Sequence, residues 1–325
     1  MEHNLKPETL LVTGATGFVG RPLCSNLIRK GLHVRAEVHT SNKQVDNNEL
    51  VYISDINGQT DWTNALQGIK VIIHLAARVH VMNDTANDAL AEFRKVNVAG
   101  TLNLARQAVK AGVKRFIFIS SVKVNGEATL LGHPFTAEDK PNPLDPYGIS
   151  KREAEDALRQ LAHDTGLEVV IIRPPLIYGP GVKANFLNMM SFLDKNIPLP
   201  LGSIHNQRSL LAVDNLIDLI ITCIHHPAAA NQTFLASDSE DLSTTELLKR
   251  TATALNKKVW LINIPSFLLK WCLTLIGKKA VSQRLCSSLQ VDISKTCELL
   301  DWHPPVTINE ALHKTALYYR QHLND

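Results

Sequence analysis

The chain of 325 residues is 45% hydrophobic, 20% charged and 6% aromatic, which excludes disordered, collagenous and membrane-embedded classes and allows a sizeable core. With 34 Lys+Arg against 31 Asp+Glu the formal charge is +3, and no run of five basic residues suggests a nucleic-acid partner. Cys24, Cys223, Cys272, Cys286 and Cys297 are scattered without a CxxC pair, and residues 1–8 lack a signal-peptide layout, so a cytoplasmic protein with reduced thiols is expected.

Through the first half, short β-branched runs alternate with helix-length amphipathic segments. Strands are predicted at 9–13, 33–38, 50–53, 71–75, 115–120 and 168–173, with helices beginning near Gly17, Asp61, Phe93 and Tyr147. Such a βα series is an α/β fold with a Rossmann-type doubly wound parallel sheet. Beyond Arg173, Pro174, Pro175, Gly179, Pro180 and Gly181 break the alternation. Helices predicted at 183–194, 213–225, 244–255, 267–276, 294–300 and 308–322, with strands at 232–236 and 259–262, make a smaller α/β lobe. The expected division is 1–175 for dinucleotide binding and 176–325 mainly for substrate. The apolar stretch 262–277 falls short of the ~20 residues needed to span a bilayer. With Trp271 and Leu275 on one face it is expected to pack within the lobe, and Lys278 and Lys279 are the only hint of a membrane surface.

Gly14-Ala15-Thr16-Gly17-Phe18-Val19-Gly20 follows an apolar strand and opens a helix. Glycines at these points let backbone turn tightly against a pyrophosphate at the helix N-terminus. Asp55, after the third strand, is placed to accept from an adenine amino group, and Leu75-Ala76-Ala77 after His74 leave room for a flat ring. An acid at the end of the second strand grips NAD ribose, whereas a base accommodates the phosphate of NADP. Here the expected position is Val38, Glu37 lies one residue early and would point to the opposite face, and Arg35, His39 and Lys43 could each meet a phosphate. The reading therefore tilts to NADP(H) over NAD(H).

Tyr147 and Lys151 are four residues apart at the start of a helix and share a face. A nearby ammonium lowers a phenol from its usual pKa of about 10, suiting it to exchange a proton with a carbinol or carbonyl oxygen. Ser121, at the carboxyl end of the fifth strand, would hold the same oxygen. The thirteen histidines include the pair His225-His226, but there is no His-x-x-x-His spacing, so no metal site is expected.

Thr13-Gly14-x-x-Gly17-x-x-Gly20, His74-Leu75-Ala76-Ala77, Asn97-x-x-Gly100-Thr101-x-Asn103, Ser120-Ser121, Tyr147-x-x-x-Lys151 and Arg173-Pro174-x-x-x-Tyr178-Gly179-Pro180-Gly181 resemble the extended short-chain dehydrogenase/reductases across nearly the whole chain. Within them the sequence looks like the NAD-dependent epimerase/dehydratase branch of UDP-glucose 4-epimerase type. Residues 121–127 and 134–136 are similar to its bacterial surface-polysaccharide 4-reductases and 4-epimerases. The resemblance implies catalysis by Ser121, Tyr147 and Lys151. It implies cofactor contacts at Gly14, Thr16, Gly17, Phe18, Val19, Gly20, His39, Asp55, Ile56, Leu75, Ala76, Ala77, Asn97 and Pro174 as well as Tyr147 and Lys151. Substrate contacts are implied at Arg78, Lys123, Asn185, Phe186, Arg208 and Arg284, the arginines as diphosphate clamps. Asn125 departs from the pattern, standing where many epimerases carry tyrosine. The family also implies a homodimer through helices near 93–112 and 147–163.

The expectation is hydride transfer at C4 of a UDP-hexose, with reduction of a 4-keto-6-deoxy-N-acetylhexosamine preferred. The alternatives are a 4-epimerase that retains NAD and a non-catalytic NAD(P)-binding protein.

Overall fold

The computed structural model describes residues 8–39, 49–79, 88–275, 277 and 279–322; Lys43 and Lys278 lie outside them. The strands are β1 (Thr9–Thr13), β2 (His33–Val38), β3 (Glu49–Tyr52), β4 (Ile69–His74), β5 (Arg115–Ile119), β6 (Glu168–Arg173), β7 (Leu176–Tyr178), β8 (Arg208–Ala212), β9 (Thr233–Leu235) and β10 (Asp241–Leu242). The helices are α1 (Gly20–Arg29), α2 (Ala89–Arg94), α3 (Thr101–Lys110), α4 (Pro146–Thr165), α5 (Ala184–Asp194), α6 (Val213–His225), α7 (Thr244–Ala254), α8 (Ser266–Leu275), α9 (Lys279–Cys286), α10 (Ser294–Leu300) and α11 (Ile308–Gln321).

Among the described residues, seven strands form one parallel sheet in the order β3-β2-β1-β4-β5-β6-β9. The near-continuous apolar runs of β1, β4, β5 and β6 suit burial on both faces, whereas the edge strand β3 is largely exposed. Leu10, Val12, Val34 and Ile117 pack with Leu23 and Leu27 of α1 and Leu216 and Ile220 of α6. Leu11, Ile72, Phe116 and Phe118 pack with Leu104 of α3 and Leu158 of α4. The strand order reverses between β1 and β4, which opens a crevice at their carboxyl ends where ligands of such sheets bind. A three-stranded sheet, β10-β8-β7, and α5, α7 and α11 enclose a separate core around Tyr178, Met190, Leu248 and Leu312. The chain crosses the division expected at 175/176, since α6 and β9 return to the large sheet.

Several expectations are corrected. No helix forms after Asp61; residues 63–68 are turns, because Gly68 at φ +73° ends the segment and β4 begins at Ile69, leaving room for little more than one turn. The strand expected at 259–262 reduces to a bridge between Leu199 and Leu261. The helix expected to pack inside the second lobe, α8, buries only Leu269 fully and leaves most of its surface to solvent. No helix among the described residues is long and apolar enough to cross a membrane.

Candidate active site

Gly14 turns out of β1 with φ +68°, and a Cβ there would lie 2.9 Å from Ala76 N; one at Gly20 would lie 2.2 Å from Gly14 O. Glycine is therefore required for the turn to fold on itself and against the end of β4. The Gly17 amide donates to Gly14 O (2.9 Å), Thr16, Phe18 and Val19 ring the turn, and α1 starts at Gly20 with no acid in its first turn. Its N-terminal amides are thus free of competing carboxylates and favour an anion. Leu75, Ala76 and Ala77 border the same crevice, half-buried, tied back by Leu75 N to Thr13 O (3.2 Å) and Ala76 N to Thr13 Oγ1 (3.2 Å).

The end of β2 corrects the tilt towards NADP(H). Arg35 is spent on the carbonyls of Ala65 (2.9 Å) and Gln67 (2.8 Å) and on Glu49, and His39 Nδ1 meets Ile53 O at 3.0 Å. Glu37, 2% exposed, does point away from the face of Val38, and that direction carries its carboxylate under the glycine turn, where Oε2 accepts from Gly14 N at 2.8 Å. Burial raises its pKa, opposed by the Gly14 bond and by His39. Oε1 is buried with no hydrogen-bond partner among the described residues. An acceptor without a hydrogen bond beside the glycine turn, 3.8 Å from His39 Nδ1, fits a ribose hydroxyl and opposes a phosphate, so the residues present fit NAD. Sequence reasoning set Glu37 aside because it lies one residue before the expected position; the signal was a carboxylate flanked by Ala36 and Val38 at the buried end of β2. Asp55 is exposed after β3, and Ile56 is buried against Gly100, where a Cβ would lie 2.8 Å from Ile56 Cγ2.

The Asn97–Asn103 motif ties the crevice together. Asn97 lies in a π-helical turn (Lys95–Gly100) between α2 and α3, a distortion frequent at functional sites. Its Oδ1 accepts from Arg78 N (2.8 Å), and its Nδ2 donates to Ser150 Oγ (3.0 Å), which donates to Tyr147 O (2.8 Å). Thr101 Oγ1 meets His74 Nε2 at 2.9 Å, and Thr13 Oγ1 meets Nδ1 at 2.7 Å. Burial chiefly, and the charge of Lys151, lower the His74 pKa to about 3, so the imidazole is a neutral link. Asn103 Nδ2 holds the carbonyls of Asn57 (3.1 Å) and Thr60 (2.8 Å) in the loop after β3.

Asp145 caps α4 by accepting from Gly148 N (2.7 Å), and Pro146 fills the first helical position, so the helix starts at Tyr147's turn. Ser121 in turn caps a 3₁₀ turn by accepting from Lys123 N (3.2 Å), and Val122 N donates to Pro174 O (3.0 Å). Pro174 and Ser121 are thereby joined at the ends of β6 and β5. A Cβ on Gly148 would lie 2.9 Å from Lys123 O, so this turn and the start of α4 touch. The Tyr147 ring, half-buried, meets Phe93 edge-on at 6.0 Å.

The phenol differs from the expectation of a cation-lowered pKa. Burial pushes the Tyr147 pKa up, and Asp145 adds to the rise. Lys151 Nζ donates to Ile119 O (2.9 Å), lies over Phe118 (4.5 Å), and stands 5.9 Å from the Tyr147 ring centre. In this geometry the phenol rests protonated. Lys151 is itself pushed down to about 7 by burial, with Glu155 opposing. Between that value and the unfolded value of about 10.4, the unfolded chain binds a proton that the native one does not, so this group makes stability rise with pH over that window. Thermal unfolding of Lys151→Met without ligand should show a flatter rise between pH 7 and 10; an unchanged slope would remove Lys151 as its source.

On the substrate side, Arg208 is half-buried at the start of β8, with Nη1 donating to Ser287 O (3.0 Å); burial lowers its pKa, and its remaining fork can take phosphate oxygens. Lys123 is engaged with Asp145 and stands 3.7 Å from Glu127, so its ammonium acts first on the α4 cap. The Phe186 side chain, 4% exposed and stacked on Tyr178 (5.5 Å), belongs to the second core, which leaves Asn185, exposed, as the available side chain there. Arg78 stacks its guanidinium over Phe93 (5.7 Å), and Arg284 is exposed on α9.

Residues 10–236 match the family model described as the NAD dependent epimerase/dehydratase family. The chain is 50% identical over 318 residues to a Vibrio cholerae protein named UDP-glucose 4-epimerase, covering 97% of this chain and 96% of that one. It is 29% identical over 329 residues to an Escherichia coli O157:H7 protein named N-acetyl-alpha-D-glucosaminyl-diphospho-ditrans,octacis-undecaprenol 4-epimerase, covering 96% and 95%. In fold it is similar to a Bacillus cereus UDP-glucuronic acid 4-epimerase solved in complex with NAD, with TM-score 0.78, 21% identity and coverage of 96% and 99%.

Proposed function

The chain belongs to the NAD-dependent epimerase/dehydratase family and is an enzyme of it; from that premise we propose that it interconverts UDP-hexoses epimeric at C4, retaining NAD through the cycle. The observation carrying this reading is the 50% identity to the Vibrio protein over 97% of the chain, both lobes included. The preference for a 4-keto reductase gives way to the epimerase alternative on that likeness. Glu37 Oε1, without a hydrogen bond among the described residues, supports it, because a site built for NAD suits a cofactor that stays bound rather than one exchanged as NADPH.

When bound, NAD would supply a reversible hydride acceptor for C4, and the glycine turn, the α1 N-terminus and Glu37 are the residues that would hold it. The chain's residues do the rest. The glycine turn and the α1 N-terminus hold the pyrophosphate, and Glu37 takes a ribose hydroxyl. Tyr147 moves the proton at the C4 oxygen, Ser121 Oγ holds that oxygen, and Lys151 stands on the same helix face, 5.9 Å from the phenol ring centre. Arg208 and Asn185 bind the substrate diphosphate side. A homodimer through the outer faces of α3 and α4 remains part of this proposal.

Purified protein with no added cofactor should convert UDP-N-acetylglucosamine or UDP-glucose to its C4 epimer. Stoichiometric oxidation of added NADH or NADPH by a UDP-4-keto-6-deoxy sugar, with no epimer formed, would select the reductase. A second reading places the same chemistry on a sugar diphosphate carried by a lipid, as in the name of the Escherichia coli relative; the exposed apolar face of α8 favours it, and turnover confined to the lipid-linked sugar would establish it.

A further inference from the structure

Four large apolar side chains of one continuous segment face solvent: Trp260 is 65% exposed, Phe267 72%, Trp271 61% and Leu275 66%. Phe267, Trp271 and Leu275 follow at intervals of four, so they form one stripe along α8, while Leu269 and Leu273 turn to the second core. Further exposed apolar residues precede the helix. Leu199 N donates to Trp260 O and Ile262 N to Leu199 O (2.9 Å each), which ties residues 260–262 to the second lobe while Trp260 and Ile262 stay exposed. A contiguous apolar surface of this kind marks a docking site.

Charge identifies the partner. Between Glu246 and Asp292 the sequence holds no acidic residue, while Lys257, Lys258, Lys270, Lys279 and Arg284 fall within it. Of the acids on neighbouring elements, Asp194 pairs with Lys257 at 3.0 Å and Glu127 stands 3.7 Å from Lys123, which leaves Lys258, Lys270 and Arg284 as exposed cations. A second copy docking on this face across a two-fold axis would set the same cations against one another. An anionic lipid surface complements both features: tryptophan, phenylalanine and leucine enter the interfacial layer while flanking lysines meet headgroups. The α8 helix is too short to span, so it would lie in the plane of the interface.

We propose that the α8 stripe with Trp260 docks this enzyme on the surface of an anionic bilayer. The docked element lies next to the catalytic crevice. Through the turn at Gly277, α8 leads to α9, whose Gln283 Nε2 donates to Glu127 Oε2 (3.3 Å), the carboxylate beside Lys123. Docking would thus hold the substrate side towards the membrane, whichever carrier bears the sugar.

The full-length protein should be sedimented with phosphatidylcholine vesicles and with vesicles containing about a third phosphatidylglycerol. Expected is binding to the anionic vesicles that weakens with salt, and a blue shift of tryptophan emission. That shift can come from Trp260 and Trp271, because Trp62 and Trp302 are buried. Phe267→Glu/Trp271→Glu should lose vesicle binding at least tenfold while keeping wild-type conversion of soluble UDP-sugar. Absence of wild-type binding at low salt, or equal binding by the double variant, would overturn the proposal. So would a wild-type dimer that becomes monomeric in the double variant, since a second copy would then own the face. None of these readouts depends on which sugar is turned over.

Discussion

Tyr147→Phe should lower kcat for C4 epimerisation by about 10²–10⁴-fold, the usual worth of a positioned acid–base group, with KM little changed and NAD still bound after purification. The substitution removes one oxygen and leaves the ring's edge-on packing against Phe93 in place, so the fold and cofactor site have no reason to change. The loss is large because the titratable groups described around the phenol are otherwise engaged, Asp145 by Gly148 N and Lys123. His74 is buried, neutral and bonded at both nitrogens to Thr13 and Thr101. Lys151 Nζ is committed to Ile119 O, and the Ser121 hydroxyl can hold an oxygen but has no base of its own beside it. Steady-state kinetics, with the NAD content read from the denatured protein, check both halves. Wild-type turnover in the variant would remove Tyr147 from the chemistry, and loss of NAD would recast it as a binding residue.

How far the sequence reaches is clearest where it stops. Strands β1, β2 and β6 fall at the predicted residues because runs such as Leu10-Leu11-Val12 are buried on both faces and stand out from their neighbours. Strands β7 and β8 were not predicted: each is short, and their pairing joins Leu176 to Leu210 across the chain, a contact no local pattern announces. The glycine turn and the Tyr147/Lys151 spacing are legible since each is a local backbone or helical-face requirement. Glu37 is not, because its role arises only when a carboxylate on β2 reaches the turn after β1. The direction of the Tyr147 shift was misjudged for a similar reason. Sequence supplies the cation four residues away but neither the burial nor the Ile119 carbonyl that engages it. Apolarity in α8 suggested a buried helix, and hydrophobic pattern alone does not say which face is covered.

Glu155→Ala should destabilise the protein by about 3–5 kcal/mol, the cost of leaving a buried ion without its partner. Glu155 and Arg173 are 0% and 2% exposed. Arg173 donates through Nε (2.9 Å) and Nη2 (2.6 Å) to the two carboxylate oxygens, and through Nη1 to Asn125 Oδ1 (3.0 Å). The same carboxylate accepts from Ser120 Oγ (2.5 Å) and Arg159 (2.8 Å), while Asn125 Nδ2 donates to Thr136 O (2.8 Å). This network joins α4, the end of β6 and the residues flanking Ser121, which gives Asn125 a positioning role at the site where the family often carries tyrosine. Removing the carboxylate strands a guanidinium among apolar strands, whereas removing both ions restores neutrality. Glu155→Leu/Arg173→Met should therefore regain much of the lost stability in chemical denaturation, because desolvating the pair offsets most of its attraction. It should nonetheless lose activity, since the Ser121–Asn125 turn is no longer fixed from below. Additive losses in the double variant would mean that the two charges act independently, and undiminished activity would detach this network from the catalytic turn.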